Sequence, residues 1–326
     1  YAAQSIYQVN SGPTSGIGPV YEGGAPLTLD QDYPSFEALA AAAVPEGSYS
    51  TCLLAGCFKL GLPPIKKLTC SVHGDASGGL YRRDAGAVLL HALTTLAGRS
   101  TSIYAVSSFS LLSKSEIGWY NERKDYTLED FINIILKPEN GVLGDTTTGL
   151  IGIIKHRPLN LVSATRDLRI REKQLEARNL KVTPFASQSV TYAKNWSPYE
   201  EADFDGGLSE EDRAPFRLPY LKTKAGSGLI SAFTGIASVD SFKDSWFSVD
   251  ELSAAQNQAN DDVQLYGRST VGFTIKGLGR EAFGFRDGEV LNLICPKFGF
   301  DAGRNVVIVG VDQSAKGEQV DLEVIA

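Results

Sequence analysis

Residues 289–294 (EVLNLI), 305–311 (NVVIVGV) and 319–325 (QVDLEVI) decide the fold class of this chain. A fourth β-rich run, residues 270–276 (TVGFTIK), lies shortly before them. Runs rich in Val, Ile and Leu that are separated by short Gly, Asp and Ser turns are typical of neighbouring strands. The C-terminal part of the chain is therefore predicted to form an antiparallel barrel or sandwich.

A long amphipathic helix is predicted directly before these strands. Ser248-Val-Asp-Glu251 has the spacing of a capping box. Apolar residues then recur at helical spacing up to Gly267, at Leu252, Ala255, Ala259, Val263 and Tyr266. Residues 161–247 are more polar, with a basic run followed by an acidic run, and are interpreted as a solvated surface with patches of opposite charge.

The first half of the chain is predicted to be two small α+β modules. Short strands are expected at residues 5–9, 19–21, 28–30 and 67–72, with one short helix after Ser35 that ends before Pro45. Asp84 caps a predicted helix over 84–98, a strand is expected at 103–112, Thr127 opens a helix over 128–136, and a strand follows at 149–155. The predicted domains are residues 1–75, 76–160 as an inserted module, and 161–326 as the β-rich domain with its packed helix.

Composition excludes several classes of protein. The 326 residues carry 31 basic and 38 acidic side chains, a net charge of −7, so no basic surface for nucleic acid is indicated. The longest apolar stretches, residues 85–97 and 131–136, fall short of the roughly 18 residues that a membrane span needs. Residue 1 is Tyr and the chain has no Met. We therefore expect a preceding N-terminal region.

Four residues have the right chemistry for a metal centre. Cys52-x4-Cys57 and Cys70-x2-His73 could together bind zinc or an iron–sulfur cluster. The alternative is that Cys52 and Cys57 are ordinary buried cysteines, because they lie in an apolar stretch at residues 51–60. A disulfide from Cys70 to either of them is a third interpretation, whereas Cys295 is expected in the core. No metal is the preferred prediction.

An acidic segment at residues 201–212 resembles a calcium-binding loop. Asp203, Asp205 and Asp212 occupy ligand positions, and Gly206 occupies the turn position. Glu201 at the first position and an Asp at the twelfth depart from the pattern, and Pro198 interrupts any entering helix. A solvated acidic loop is therefore preferred over a calcium site.

Motifs of common enzymes are absent from the sequence. It contains no G-x-S-x-G, G-x-x-x-x-G-K-[ST], H-E-x-x-H or G-x-G-x-x-G. Catalytic pairing with Ser or Cys would have to use His73, His91 or His156, and His91 lies within an amphipathic helix. No catalytic residue and no cofactor are predicted.

The order of several motifs resembles that of baseplate hub and tail-tip proteins of long-tailed bacteriophages, which also occur in phage-like gene transfer agents. The similar segments are residues 7–9, 21–27 (YEGGAPL), 47–52, 118–120, 149–155, 189–196 (SVTYAKNW), 265–267, 287–290, 296–300 (PKFGF) and 303–312. They cover most of the chain and are densest at 254–326. The resemblance implies barrel-like hub domains with an inserted α+β module, and it carries no catalytic residues.

The same resemblance implies a place in a virion. A hub subunit is expected to form a homotrimer that closes the end of the tail tube. Its expected partners are a distal tail protein, a tape-measure protein, a tail fibre or central spike, and the host cell surface, with DNA only in passage. A negative lumen would let DNA slide, because phosphates repel like charge.

Two alternatives come from other classes of protein. One is a secreted polysaccharide-active enzyme that uses Asp203 and Glu211 as acid and base. The other is a monomeric adhesion module that binds carbohydrate or calcium. Its sugar-stacking candidates are Trp119, Tyr120, Trp196, Tyr199 and Trp246, which are otherwise expected to be core or interface anchors.

Overall fold

The computed structural model describes residues 5–118, 126–146, 149–156, 162–178, 187–226, 240–243, 252–266, 271–314 and 319–326. Contacts divide the chain into two units. The N-terminal unit comprises Tyr1–Arg83 and Ala193–Leu221, and the C-terminal unit comprises Asp84–Tyr192 and Lys222–Ala326. The three-domain division at 75/76 and 160/161 stays a prediction. The contacts add that residues 193–221 belong with the first 83.

The regular elements are as follows. The strands are β1 (Ile6–Gln8), β2 (Thr14–Glu22), β3 (Ala25–Pro26), β4 (Thr28–Asp32), β5 (Ser48–Cys52), β6 (Cys57–Leu60), β7 (Leu68–Asp75), β8 (Gly141–Asp145), β9 (Ile151–Lys155), β10 (Arg166–Arg169), β11 (Leu175–Arg178), β12 (Ser187–Tyr192), β13 (Leu221–Gly226), β14 (Asp240–Lys243), β15 (Gly272–Leu278), β16 (Val290–Cys295), β17 (Phe300–Ser314) and β18 (Gln319–Ile325). The helices are α1 (Phe36–Ala41), α2 (Ala85–His91), α3 (Leu128–Leu136), α4 (Glu210–Arg217) and α5 (Leu252–Tyr266).

The N-terminal unit has three layers. Sheet I has the strand order β1-β6-β5-β4, and sheet II has the order β3-β2-β7. Because side chains alternate along a strand, one face of sheet I packs Tyr49 and Phe58 against Ile17 and Val20 of sheet II. The other face packs against α1 through Leu39. Sheet I is thus the middle layer.

Helix α1 is held at both ends. The Ser35 hydroxyl accepts a hydrogen bond from the Ala38 N–H at 3.2 Å, as an N-cap does. At the other end the Lys59 ammonium of β6 donates to the carbonyls of Ala40 and Ala42 at 2.8 and 2.7 Å. These bonds satisfy carbonyls that a helix end leaves unpaired. The predicted short helix is confirmed.

The α+β module within the C-terminal unit has both predicted helices. Asp84 caps α2, which continues as a π-helical turn over Ala92–Leu96. Thr127 and Asp130 form a capping box at the start of α3. The predicted strand at 149–155 is confirmed as β9, which pairs with β8.

The strand expected at residues 103–112 is wrong. The segment forms 3-10 helices at Thr101–Ile103 and Val106–Leu111. The hydroxyl of Ser108 donates to the carbonyl of Ala105 at 2.6 Å, and that of Ser110 donates to the carbonyl of Ser107 at 2.7 Å. Local bonds of this kind compete with strand pairing.

Sheet III is the main element of the C-terminal unit and contains all four predicted strands. Its order is β10-β16-β17-β18-β15-β11, and only the β10–β16 pairing is parallel among these described strands. The edge strands β10 and β11 lie within the segment that was interpreted as a solvated surface. Each contributes one buried leucine, Leu168 and Leu175, while most of their other side chains are exposed.

Sheet III is curled but open. The Ile170 N–H, just after β10, donates to the Ile294 carbonyl of β16. The chain between the β10 edge and the β11 edge is therefore only the five residues that lead from Ile170 to Leu175. Five extended residues reach about 18 Å, whereas the edges of a flat six-stranded sheet lie about 24 Å apart. The sheet must therefore curl, and both edges contribute to one core. The described strands of sheet III do not close into a barrel. The predicted α+β, β-rich fold class is therefore confirmed, whereas its barrel-like form is not.

Helix α5 buries Ala255, Ala259 and Val263 of the predicted stripe, whereas Leu252 is exposed. Ala255 and Ala259 are fully buried, and the helix packs on β12, the central strand of sheet IV (β13-β12-β14). All six residues of β12 are buried. The capping box at 248–251 and Gly267 lie outside the described residues. None of the described helices is both long enough and apolar enough to span a bilayer.

Candidate functional site

The four candidate metal ligands occupy different places in the N-terminal unit. Cys52 and Cys57 are paired residues of β5 and β6 on the face of sheet I that packs against α1. Cys70 belongs to β7 of sheet II, and its side chain packs with the apolar cluster on the other face of sheet I. His73, three residues further along β7, is exposed and lies near the Tyr81 ring at 6.2 Å. Sheet I thus separates the Cys52–Cys57 pair from Cys70.

The electrostatics of these thiols oppose metal binding in their present surroundings. Burial raises the pKa of Cys57 to about 11, and burial raises the pKa of Cys70 to about 11. A metal-bound cysteine is a thiolate, which such surroundings disfavour. Within the described ranges, no group of three His, Cys, Asp or Glu side chains is arranged to hold a metal ion.

The three candidate aspartates of the acidic segment at 201–212 each accept a hydrogen bond from a nearby residue. Asp203 accepts from the Glu200 N–H at 2.9 Å and pairs with Lys67 at 3.3 Å. Asp205 accepts from the Gly207 N–H at 3.1 Å, and Asp212 accepts from the Ser209 hydroxyl at 2.6 Å at the start of α4. The candidate calcium ligands are engaged in turns and a helix cap rather than around a common centre.

The Asp203 carboxyl does not have the properties of a glycosidase acid. The Glu200 N–H, followed by Lys67, lowers its pKa, whereas a general acid needs a raised pKa. Its suggested partner Glu211 is exposed on α4. These observations give the pair Asp203 and Glu211 no support as acid and base.

Residues 193–221 instead form a docking segment, which packs on the first 83 residues. The Tyr199 hydroxyl donates to the Lys67 carbonyl at 3.0 Å and lies 2.9 Å from the Thr69 hydroxyl. The Asp205 N–H donates to the Gly23 carbonyl at 2.9 Å. These bonds join positions more than 100 residues apart in the sequence, so the docking segment completes the N-terminal unit.

An aromatic cluster fills the contact beneath the docking segment. The Tyr199 ring lies 5.1 Å from Phe204 and 5.2 Å from Phe216, and Phe216 meets Tyr21 of β2 edge-on at 5.0 Å. Tyr199 is therefore a core anchor and not a sugar platform. The Trp196 ring lies beneath the Lys194 ammonium at 4.0 Å, while Trp119, Tyr120 and Trp246 lie outside the described residues.

The glycines of the YEGGAPL motif make this docking possible. Gly24 has a φ of +87°, and a Cβ there would lie 2.9 Å from the Leu208 side chain of the docking segment. Only glycine combines that backbone conformation with so close an approach. The Gly-Gly pair was the sequence signal for a close contact, but its partner could not be read from local pattern.

His156 lies in a buried setting in the C-terminal unit. Burial lowers its pKa from the ordinary value of 6.5, and the nearby Asp287 carboxylate partly offsets this effect. Burial also raises the pKa of Asp287. The two groups are held near each other because Gly288, with a φ of +78°, packs directly against Ile154, where a Cβ would lie 2.3 Å from the isoleucine side chain.

His156→Gln is expected to reduce the loss of stability in mild acid. As the pH falls below about 6.5, the unfolded chain binds a proton at this histidine before the folded chain does, so the free energy of unfolding falls. Asp287 contributes with the opposite sign, because burial raises its pKa, and this rise is partly offset by His156 in the wild type. Urea midpoints at pH 7.5 and 5.5 measure the difference, with His73→Gln as the control. Equal pH dependence in wild type and His156→Gln would contradict the prediction.

Exposed apolar side chains mark candidate assembly surfaces in each unit. In the N-terminal unit Ile65 is 92% exposed, and in the C-terminal unit Leu96 is 76% exposed. Other exposed large apolar side chains are Leu29, Leu54, Leu62, Val72, Leu80, Leu218 and Tyr220 in the first unit, and Ile103, Val106, Leu111, Leu128, Val142, Leu252, Val271 and Phe298 in the second. Apolar exposure of this kind is typical of interaction surfaces where the side chains cluster.

Sheet edges are a second kind of candidate assembly surface. β4 is an edge strand of sheet I, and all five of its residues are exposed. Its Asp30 and Asp32 carboxylates accept hydrogen bonds from Ser50 and Thr51, at 3.0 and 2.7 Å. The β10 and β11 edges are short and charged, which disfavours pairing with another chain. β4 is one residue longer than β10 or β11, and the carboxylates of its Asp30 and Asp32 are already bonded to β5, so we take β4 as the candidate for such pairing.

Comparison with solved structures identifies the fold. A chain from the virion of a native gene transfer agent particle matches with a TM-score of 0.60 and 13% identity, covering 98% of this chain and 77% of that chain. This chain has the same fold. The tail protein from Neisseria meningitidis MC58 matches with a TM-score of 0.42 and 14% identity, covering 73% of this chain and 66% of that chain. The 43 kDa tail protein of prophage MuSo2 from Shewanella oneidensis matches with a TM-score of 0.40 and 11% identity, covering 83% and 72%.

The resemblance inferred from sequence motifs is thus confirmed at the level of the fold. Searches against protein-family models and curated proteins found no match. One residue of the 189–196 motif has a clear structural role. The Asn195 amide donates a hydrogen bond to the Phe216 carbonyl at 3.0 Å within the docking segment.

Proposed function

We propose that this chain is a structural subunit of a phage tail tip or baseplate hub, or of the equivalent part of a gene transfer agent particle. The observation that carries the proposal is that nearly the whole chain shares its fold with a chain of a gene transfer agent virion. The motif order in the sequence supports the same assignment independently. The proposed location is the virion, and the proposed role is assembly rather than catalysis.

In this proposal three copies form a ring that closes the end of the tail tube. The ring would contact a distal tail protein, a tape-measure protein and a fibre or central spike, and could face the host cell surface. The exposed β4 edge and the exposed apolar side chains of both units are the proposed contacts. These surfaces fit an assembly role because backbone pairing and apolar burial are the usual means of subunit contact.

DNA passage is a further part of the proposal. The chain has a net charge of −7, and exposed acids such as Glu201 and Glu210 lie on the docking segment. Acids along the lumen would repel DNA phosphates and prevent adhesion. A ring whose channel is lined by Lys and Arg, with the acids facing outward, would contradict this part.

The oligomeric state tests the proposal. Light scattering with size-exclusion chromatography is expected to give three times the chain mass of 35.0 kDa, and electron microscopy of the same fraction is expected to show a threefold ring. Leu29→Lys on the β4 edge should shift the mass towards that of a single chain, whereas Lys173→Glu, on a short connection, serves as the charge-changing control. A protein that stays monomeric at high concentration, and binds glycans or calcium, would favour the adhesion module instead.

A further inference from the structure

Two buried thiols face each other at the end of the β5–β6 hairpin. Cys52 is the last residue of β5, Cys57 is the first residue of β6, and the two are directly opposite in the antiparallel pairing. Their side chains are 0% and 2% exposed. After burial, the nearby Cys52 thiol contributes most to the raised pKa of Cys57. The strand pairing itself therefore holds the two sulfur atoms together.

The backbone geometry suits a covalent link between them. Directly opposite residues of antiparallel strands have Cα atoms about 4.5–5.5 Å apart, and disulfides span about 4.4–6.8 Å between Cα atoms. The turn between the two residues is closed by Gly56, which has a φ of +58° and bonds to the Leu53 carbonyl at 3.3 Å.

The surroundings favour a disulfide over an ionic product. Ile6 and Leu39 are buried in the same cluster as the two cysteines, with Phe36 and Ala40 packed against it. A disulfide carries no charge, so it can stay in this apolar setting, whereas a thiolate cannot do so without cost. Cys70 lies beyond the other face of sheet I and does not compete for either sulfur.

We propose that Cys52 and Cys57 are a redox pair that forms a reversible cross-strand disulfide with a low-molecular-weight disulfide, such as oxidised glutathione, as the oxidant. One thiolate attacks the oxidant, which forms a mixed disulfide and releases one glutathione thiolate. The second cysteine thiolate attacks the protein sulfur of that mixed disulfide and releases the second glutathione. Two electrons pass to the oxidant, and the two thiol protons end on the two glutathione molecules.

The burial of both thiols makes this reaction slow and dependent on pH. Burial, followed by the neighbouring Cys52, raises the pKa of Cys57 to about 11. The oxidant therefore reacts when the end of the hairpin opens locally, where Leu54 is 66% exposed. Because the thiolate of the opened hairpin end is the nucleophile, the rate should rise with pH up to the ordinary pKa of an exposed thiol, about 8.5.

Peptide mapping of the full chain tests the pairing. The reduced protein is incubated with oxidised glutathione at pH 7 and at pH 9, quenched with acid, alkylated under denaturing conditions and digested. A Cys52–Cys57 link is expected, with a rate more than tenfold higher at pH 9 than at pH 7. Alkylated Cys52 and Cys57 after a day at pH 9, or links of either residue to Cys70 or Cys295, would overturn the proposal.

Matched variants keep the test independent of folding defects. Cys70→Ala should form the link as the wild type does, whereas Cys57→Ala should leave Cys52 either free or bound to glutathione. In the wild type, oxidation should raise the Tm by several degrees, because a disulfide lowers the conformational entropy of the unfolded chain. Dithiothreitol should reverse the rise. A Cys52→Ala/Cys57→Ala protein should show no such shift. The inference does not rest on the proposed tail function, because isolated protein suffices for each measurement.

Discussion

Tyr199→Ala is expected to lower the free energy of unfolding of the N-terminal unit by about 3–5 kcal/mol. The ring is 5% exposed and packs against Phe204 and Phe216, so its removal leaves a cavity beneath the docking segment. The hydroxyl that bonds to the Lys67 carbonyl is lost as well. Urea unfolding measures the change.

The same variant should also release the docking segment before the unit unfolds globally. A local destabilisation of about 3 kcal/mol raises the open population more than a hundredfold, so trypsin should cleave after Arg213 and Arg217 far sooner than in the wild type. Tyr199→Phe is the matched control. It keeps the ring and should cost only about 1 kcal/mol. Unchanged cleavage in Tyr199→Ala would show that residues 193–221 do not depend on this anchor.

Lys155→Ala is expected to destabilise the C-terminal unit by about 3–5 kcal/mol. The Lys155 ammonium lies 2.6 Å from the Glu139 carboxylate, and that carboxylate is only 3% exposed. Without the ammonium, the described hydrogen bonds to the buried charge come from the Ser113 N–H at 3.2 Å. A buried charge that loses its ion partner is among the costly results of a single substitution.

Two further variants of this chain separate the loss of the buried Lys155–Glu139 pair from a general loss of charge. Lys276→Ala breaks a geometrically similar pair with Glu176 that is about half exposed, and it should leave the urea midpoint unchanged within error. Lys155→Met with Glu139→Gln should recover part of the loss, because no unpaired charge remains. Equal midpoints for Lys155→Ala and the wild type would contradict a role for the buried pair.

The sequence predicted those elements whose signals are local. Helices α2 and α5 were predicted from apolar spacing together with a cap, and α3 was predicted from the capping box at Thr127. The strand expected at residues 103–112 is wrong because the hydroxyls of Ser108 and Ser110 bond to nearby carbonyls, which favours local turns over strand pairing. The β5–β6 hairpin was read only as an apolar stretch that contains cysteines.

The candidate sites depended on long-range pairing, which local patterns do not contain. Nothing near Tyr199 in the sequence points to Lys67, and nothing near Cys70 shows that a sheet separates it from Cys52. The acidic residues 201–212 matched a calcium loop because turns and helix caps use the same Asp and Gly residues as such loops do. Spacing alone cannot separate these uses.

The late position of the docking segment has a consequence for synthesis. Residues 84–192 emerge from the ribosome between the first 83 residues and the segment that completes their unit. At a usual rate of about 5–20 residues per second, this delay lasts roughly 5–20 s. Until then the Tyr21 ring lacks Phe216, its partner from the docking segment. The nascent chain therefore presents an incomplete apolar face to the cytosol for seconds, and a chaperone that shields it would raise the yield of folded protein.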